Sequence, residues 1–198
     1  MTITKDVIQS KCLEVIKNHK RCGVNISMGV GKTRLALKHM KLIPADLRKV
    51  LVVVPKLSII ESWKNEMDNL NIDESLIEFV HYRSLTKKNP NDYYCLYLDE
   101  CHNLLSKHLG FLYKYKGHIL GLTGTKPVRK TSEKYRLVNQ YCPMVFDYTV
   151  DEATSDNILN DYEIYIHYLN LSEKKNVHKK TKTGGFYQSE VNDYKFQT

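Results

Sequence analysis

The chain has 198 residues, enough for one full-sized domain with or without a short appendage, and its 42% hydrophobic and 26% charged content is that of a polypeptide that buries a core. No run of about 18 apolar residues occurs, which argues against a membrane-spanning helix, and the net charge of +8 favours a polyanionic partner such as nucleic acid. The five cysteines (Cys12, Cys22, Cys95, Cys101, Cys142) are widely spaced and form no C-x-x-C pair, so reduced, buried thiols are expected rather than a zinc site.

In chain order, Val7, Ile8, Cys12 and Val15 recur at helical spacing and predict a helix over 5–18. A short strand over 23–27 leads into the glycines of Asn25-Ile26-Ser27-Met28-Gly29-Val30-Gly31-Lys32-Thr33, and a helix follows over 33–42. Val50–Val54 is apolar throughout, as in a strand buried on both faces of a parallel sheet. Ile59, Ile60, Trp63, Met67 and Leu70 share one stripe of a helix over 58–70. Further strands are expected at 77–81, 94–98 and 118–123, then a helix around 132–139 and a strand over 163–171. Strands alternating with helices predict an α/β fold with a mostly parallel, doubly wound sheet and helices on both faces. Ligands of such sheets gather at the carboxyl ends of the strands. Here those ends carry Ser27-Met28, Pro55-Lys56, His81-Tyr82-Arg83, Asp99-Glu100 and Thr123-Gly124-Thr125.

A bound phosphate needs several backbone N–H groups aimed at one point, an approach that side chains at a tight bend obstruct. Gly29 and Gly31 permit it, and the helix that follows directs its positive end to the same place. Lys32 can supply a point charge to the β- and γ-phosphates of a nucleotide, and the Thr33 hydroxyl can ligate Mg²⁺. The strict G-x-x-x-x-G-K-[ST] pattern fails because Ile26 stands at the first glycine position, while G-x-G-K-T is intact. Asp99 and Glu100 follow an apolar strand. Phosphoryl transfer to water needs one carboxylate to hold the metal through its water shell and another group to orient or deprotonate the attacking water. Asp99 suits the first role and Glu100 the second, although a helix N-cap would use the same residues.

Asp99-Glu100-Cys101-His102 resembles the D-E-x-H box of superfamily 2 helicases and translocases. Gly29–Thr33 resembles their motif I, in the M-G-x-G-K-T form of Swi/Snf-type ATPases, and Leu122–Thr125 resembles motif III. Val52–Pro55 with Ser58 and Trp63 resembles motif Ia, and Phe79–Leu85 the segment called Ib. All occur in the family's order over roughly residues 5 to 171. The resemblance implies a RecA-like P-loop NTPase domain over 1–150 that uses ATP and Mg²⁺, an exit segment over 151–171, and a lysine-rich tail over 172–198 expected to be flexible. It implies nucleotide binding by Met28, Gly29, Val30, Gly31, Lys32, Thr33 and Arg34, with Gln9 placed like the glutamine that reads adenine. Thr33 and Asp99 would hold the metal, and Glu100 would activate water. His102 would link the nucleotide site to Thr123, Gly124 and Thr125, coupling hydrolysis to movement. DNA or RNA would be gripped without sequence preference by Pro55, Lys56, Ser58, Tyr82, Arg83 and Ser84.

The chain departs from the family in carrying no Gly-Arg dipeptide, the signature of the arginines that complete the nucleotide site from a second lobe. Such an arginine contributes on the order of 10³–10⁵ in rate in related systems. A second RecA-like lobe, in cis or in trans, is therefore an expected partner, and the chain alone is expected to turn over ATP very slowly. A non-motor nucleotide-gated module and another P-loop enzyme such as a packaging motor stay open as alternatives. The apolar core of a signal peptide is missing from MTITKDVIQSK. The expected location is thus a reducing cytoplasmic or nucleoplasmic interior, and the richness in Lys, Asn, Ile and Tyr fits an AT-rich gene, a viral one among the candidates.

Overall fold

The computed structural model describes residues 3–43 and 49–165. Its compact unit runs from Met1 to Asp161. Helix α1 (Lys5–Ile16) is capped by Thr4, whose hydroxyl accepts from the Val7 N–H. There follow β1 (Arg21–Ile26), α2 (Lys32–Met40), β2 (Val50–Val54), α3 (Ile59–Asn69), β3 (Ile77–His81) and β4 (Cys95–Asp99). The remaining elements are α4 (Leu109–Lys114), β5 (His118–Thr123), α5 (Glu133–Tyr141), β6 (Met144–Tyr148) and α6 (Val150–Ser155). The strands make one six-stranded sheet in the order β3-β2-β4-β5-β1-β6, and every pairing is parallel.

Strand residues alternate between two cores. Val24, Ile26, Val50, Val52, Val54, Cys95, Tyr97, Leu120 and Leu122 join Ile8, Cys12 and Ile16 of α1, Leu35 and Leu37 of α2, and Trp63 and Met67 of α3. Leu51, Val53, Leu96, Leu98 and Ile119 face the other way, onto Phe111 and Leu112 of α4 and Leu137, Val138 and Tyr141 of α5. Period-two side-chain alternation thus turns the continuous apolar strands into a three-layer sandwich. All five cysteines are buried and free.

The fold matches the expected α/β architecture, with helix and strand ends displaced by a residue or two. Three features depart from it. Strand β6 was not foreseen; it is an edge strand interrupted by Asp147 and only Tyr148 of it is fully buried, so its alternation is faint. The six-residue α4 is too short to build a periodic signal. Residues 163–165 form no strand; the rest of the strand expected over 163–171, and the tail over 172–198, lie outside the described residues. Within the compact unit, α6 carries a capping box between Thr149 and Glu152, buries Ala153, and is followed by Ile158 and Leu159 packed on the core.

Candidate functional site at the carboxyl rim of the sheet

Strand order brings the sequence motifs together. Strand β5 lies between β1 and β4, and its register sets Thr123 beside Asn25 and Leu122 beside Asp99. The glycine loop after β1, the Thr123–Thr125 turn after β5 and the carboxylates after β4 therefore share one stretch of rim.

The loop has the conformation that anion binding requires. Gly29 and Gly31 have φ of 85° and 97°, the left-handed region that side chains resist. Gly31 is the N-cap of α2, and no side chain caps that helix, so its leading N–H groups are left for a ligand. At the base of the loop the buried Ser27 hydroxyl has no hydrogen-bond partner among the described residues. The buried Val30 side chain anchors the turn in the core, so this residue offers only its backbone, while Met28 is exposed at the tip.

Lys32 spans the site. Its ammonium donates to the Ile26 carbonyl at 3.4 Å and lies 3.6 Å from Glu100 Oε1. It passes so close to Gly124 that a Cβ there would meet Lys32 Nζ and the Ile26 carbonyl oxygen, each at 3.2 Å. Gly124 is a clearance residue for the lysine.

Glu100 adopts φ 49°, a left-handed conformation that costs a non-glycine residue about 1–3 kcal/mol and is tolerated where it aims a functional group. Its Oε2 accepts from the Thr123 hydroxyl at 3.1 Å. Thr123 Oγ1 also accepts from the Thr125 N–H at 3.0 Å and contacts His102 Nδ1 at 2.9 Å. A hydroxyl has one proton to give. Having given it to Glu100, Thr123 can only accept from His102, which fixes the imidazole as the Nδ1–H tautomer. Burial holds the His102 pKa below its usual value, with Glu100 acting in the opposite sense.

Asp99 is braced by two residues not foreseen in this role. Trp63 Nε1 donates to its Oδ2 at 3.2 Å, and the Tyr82 hydroxyl donates to its backbone carbonyl at 2.9 Å. Tyr82, expected on the nucleic-acid rim, is a buried support for the carboxylate strand instead. Neither role has a sequence signal, because an aromatic residue on an apolar stripe reads as core. Burial is the leading influence on the Asp99 carboxyl and raises its pKa above 3.8, while the Trp63 hydrogen bond and Lys32 oppose the rise. Folding thus favours the protonated acid. Its contribution to stability is fully present below about pH 4 and is lost as pH climbs through the raised value. Asp99→Asn, which keeps an acceptor for Trp63, is expected to raise the melting temperature of metal-free protein at pH 7.5 and to leave it little changed at pH 4. Thermal melts at the two pH values check this; an unchanged or lowered midpoint at pH 7.5 contradicts it.

A cleft of about 520 Å³ runs from the loop toward α1 and α3, lined by Lys5, Asp6, Gln9, Ser62, Glu66 and the whole stretch 28–34. Arg34 lines it while paired with Glu66 of α3 at 3.0 Å. Gln9 is buried beneath the loop, where its Nε2 donates to the Val30 carbonyl at 2.8 Å. Of the residues expected to touch nucleic acid, Pro55, Lys56 and Ser58 follow β2, and Arg83 and Ser84 follow β3. These strands lie three and four positions across the sheet from β1. Lys56, Ser58 and Arg83 are exposed there.

The donor set fits a nucleoside triphosphate with a divalent ion: the uncapped N–H groups at the start of α2, one ammonium, a threonine hydroxyl and a buried carboxylate. Sheet order and phosphate loop define the class by fold, a RecA-like P-loop domain. Within that class, residues 2–92 match the family described as "Type III restriction enzyme, res subunit". Three solved structures are similar in fold. The Sulfolobus solfataricus SWI2/SNF2 ATPase core in complex with dsDNA is 20% identical with a TM-score of 0.51, over 68% of this chain and 34% of that one. The Pyrococcus furiosus Hef helicase domain is 15% identical with a TM-score of 0.55, over 73% and 36%. A nuclease-deletion mutant of the Type ISP restriction-modification enzyme LlaGI, in complex with a DNA substrate mimic, is 18% identical with a TM-score of 0.53, over 78% and 20%. The chain therefore spans about a third or less of each of these proteins. No curated protein sequence matches it.

Proposed function

We propose that this chain is the ATP-binding first lobe of a superfamily 2 nucleic-acid motor, and that it hydrolyses ATP to drive movement on DNA or RNA when joined to a second RecA-like lobe. One observation carries the reading. Lys32 lies 3.6 Å from Glu100, and Glu100 is hydrogen-bonded to Thr123, which His102 also contacts. A pure binding module has no use for a carboxylate beside the phosphate-loop lysine, whereas hydrolysis needs one to handle the attacking water. When bound, Mg²⁺ would neutralise phosphate charge between Thr33 and Asp99. Loss of the γ-phosphate removes a partner from Lys32 and returns its ammonium to Glu100. The hydrogen bonds through Thr123 then carry that change to the 123–125 turn, and from there toward a second lobe. The DNA complexes among the structures of similar fold support a nucleic-acid track, for which Lys56, Ser58, Arg83 and Ser84 are the candidate contacts.

The test is ATP turnover by the chain supplemented with its second lobe, with and without single-stranded and duplex DNA and RNA. Stimulation by one polymer, weakening as salt rises, is the expected result. A rate indifferent to every polynucleotide contradicts the motor reading and favours a nucleotide-gated binder.

A further inference from the structure

On the side of α1 the phosphate loop is held by a chain of polar contacts unlike the apolar packing around it. Gln9 Nε2 donates to the Val30 carbonyl at 2.8 Å, and Gln9 Oε1 accepts from Lys38 Nζ at 2.8 Å. The same ammonium donates to Asp6 Oδ1 at 2.7 Å. Gln9 is only 3% exposed, and its amide lies so close under the turn that a Cβ on Gly31 would come within 2.6 Å of Nε2.

Two features of these contacts have a direction. An ammonium only donates and a carbonyl only accepts, so Lys38 and Val30 together admit one orientation of the Gln9 amide. A flipped amide would set NH₂ against NH₃⁺ and oxygen against oxygen. The Val30 carbonyl and the Gly31 N–H belong to one planar peptide unit, in which they point in opposite directions. Drawing that carbonyl down onto Gln9 therefore turns the Gly31 N–H outward, into the concave side of the loop where a phosphate would lie.

We propose that Asp6, Lys38 and Gln9 form an orienting clamp that presets the Gly31 N–H for phosphate, with Lys38 and Asp6 as positioning residues that act through Gln9. The clamp rests on the nucleotide-site reading above and deepens it. Its role is independent of the base, since the clamp acts on the loop through the Val30 carbonyl. A Gln9 that only reads adenine would predict the opposite selectivity.

The experiment compares binding of Mg²⁺ complexes of a fluorescent ATP analogue, a fluorescent GTP analogue and pyrophosphate (by displacement) to the wild-type chain, Lys38→Met and Asp6→Ala. Thermal melts of each variant are recorded alongside. Lys38→Met keeps the length and packing of the side chain but cannot hold the amide. It is expected to weaken all three ligands by a similar factor, about tenfold for one charge-assisted hydrogen bond, with a cooperative melt whose midpoint falls only by the cost of the orphaned Gln9 oxygen. Asp6→Ala, at an exposed first-turn position of α1, is expected to give a smaller loss of the same uniform kind. If Lys38→Met does not fold, Asp6→Ala decides the matter alone. A loss confined to the ATP analogue, or no loss in either variant, overturns the clamp while leaving nucleotide binding intact. Failure of the wild-type chain to bind any of the three ligands overturns the site reading itself.

Discussion

Replacing Glu100 by Gln is expected to abolish hydrolysis while sparing nucleotide binding. The glutamine can still accept from the Thr123 hydroxyl, so the 3.1 Å link is kept. It has no basic oxygen for a water proton, a loss worth about 10²–10⁴ in rate for a positioned general base. Binding should hold or tighten, because the change removes a negative charge 3.6 Å from the Lys32 ammonium and close to the triphosphate. Single-turnover hydrolysis under saturating polynucleotide, with ATP affinity measured in parallel, gives both quantities. A fall of less than about tenfold in the rate would show that another group activates water.

Lys32→Met should act the other way round, with binding lost first. In the ligand-free site the ammonium has the Ile26 carbonyl and Glu100 as neighbours, a resting place from which it can transfer to phosphate oxygens. Charge-assisted hydrogen bonds contribute about 1.5–3 kcal/mol each, so removing the ammonium should weaken ATP by roughly 10–100-fold, and more if two oxygens are engaged. Methionine preserves the passage over Gly124, so the fold should persist with an unchanged melting midpoint. Equal affinity of variant and wild type for ATP would dissociate this lysine from the phosphates altogether. Lys32 and Glu100 thus divide the site into a binding half and a chemical half, separable by the ratio of affinity to rate.

The parts of this protein legible in its sequence are those whose chemistry is local. Gly29, Gly31, Lys32 and Thr33 are contiguous, and the backbone they need is specified by residue type, so the loop could be read directly. The all-apolar Val50–Val54 announced a central parallel strand because both its faces are buried. The parts with no local signal depend on partners distant in the chain. Trp63 and Asp99 are thirty-six residues apart, and nothing local distinguishes a tryptophan that braces a carboxylate from one that fills a core. Tyr82 follows a strand and so resembles a rim residue, yet it turns inward and its hydroxyl donates to the Asp99 carbonyl. Gln9 could be picked out as a candidate only through resemblance, and its partner Lys38, twenty-nine residues on, carried no signal. Strand β6 was hidden for another reason. It lies at the sheet edge, where selection for apolar alternation is weak, and there Asp147 pairs with Lys126 and accepts from Asn25 instead of facing a core.

The central claim is that a triphosphate with its divalent ion is held by the loop over α2 and by the acidic pair after β4. Amide chemical shifts of the ¹⁵N-labelled chain, followed as Mg²⁺ and ATP are added, test it residue by residue. The largest shifts are expected at Gly29, Gly31, Lys32 and Thr33, smaller ones at Glu100 and Gly124, and all should disappear on chelating the metal or in Lys32→Met. Shifts clustered on another face, or a spectrum unmoved by millimolar ATP, would contradict it.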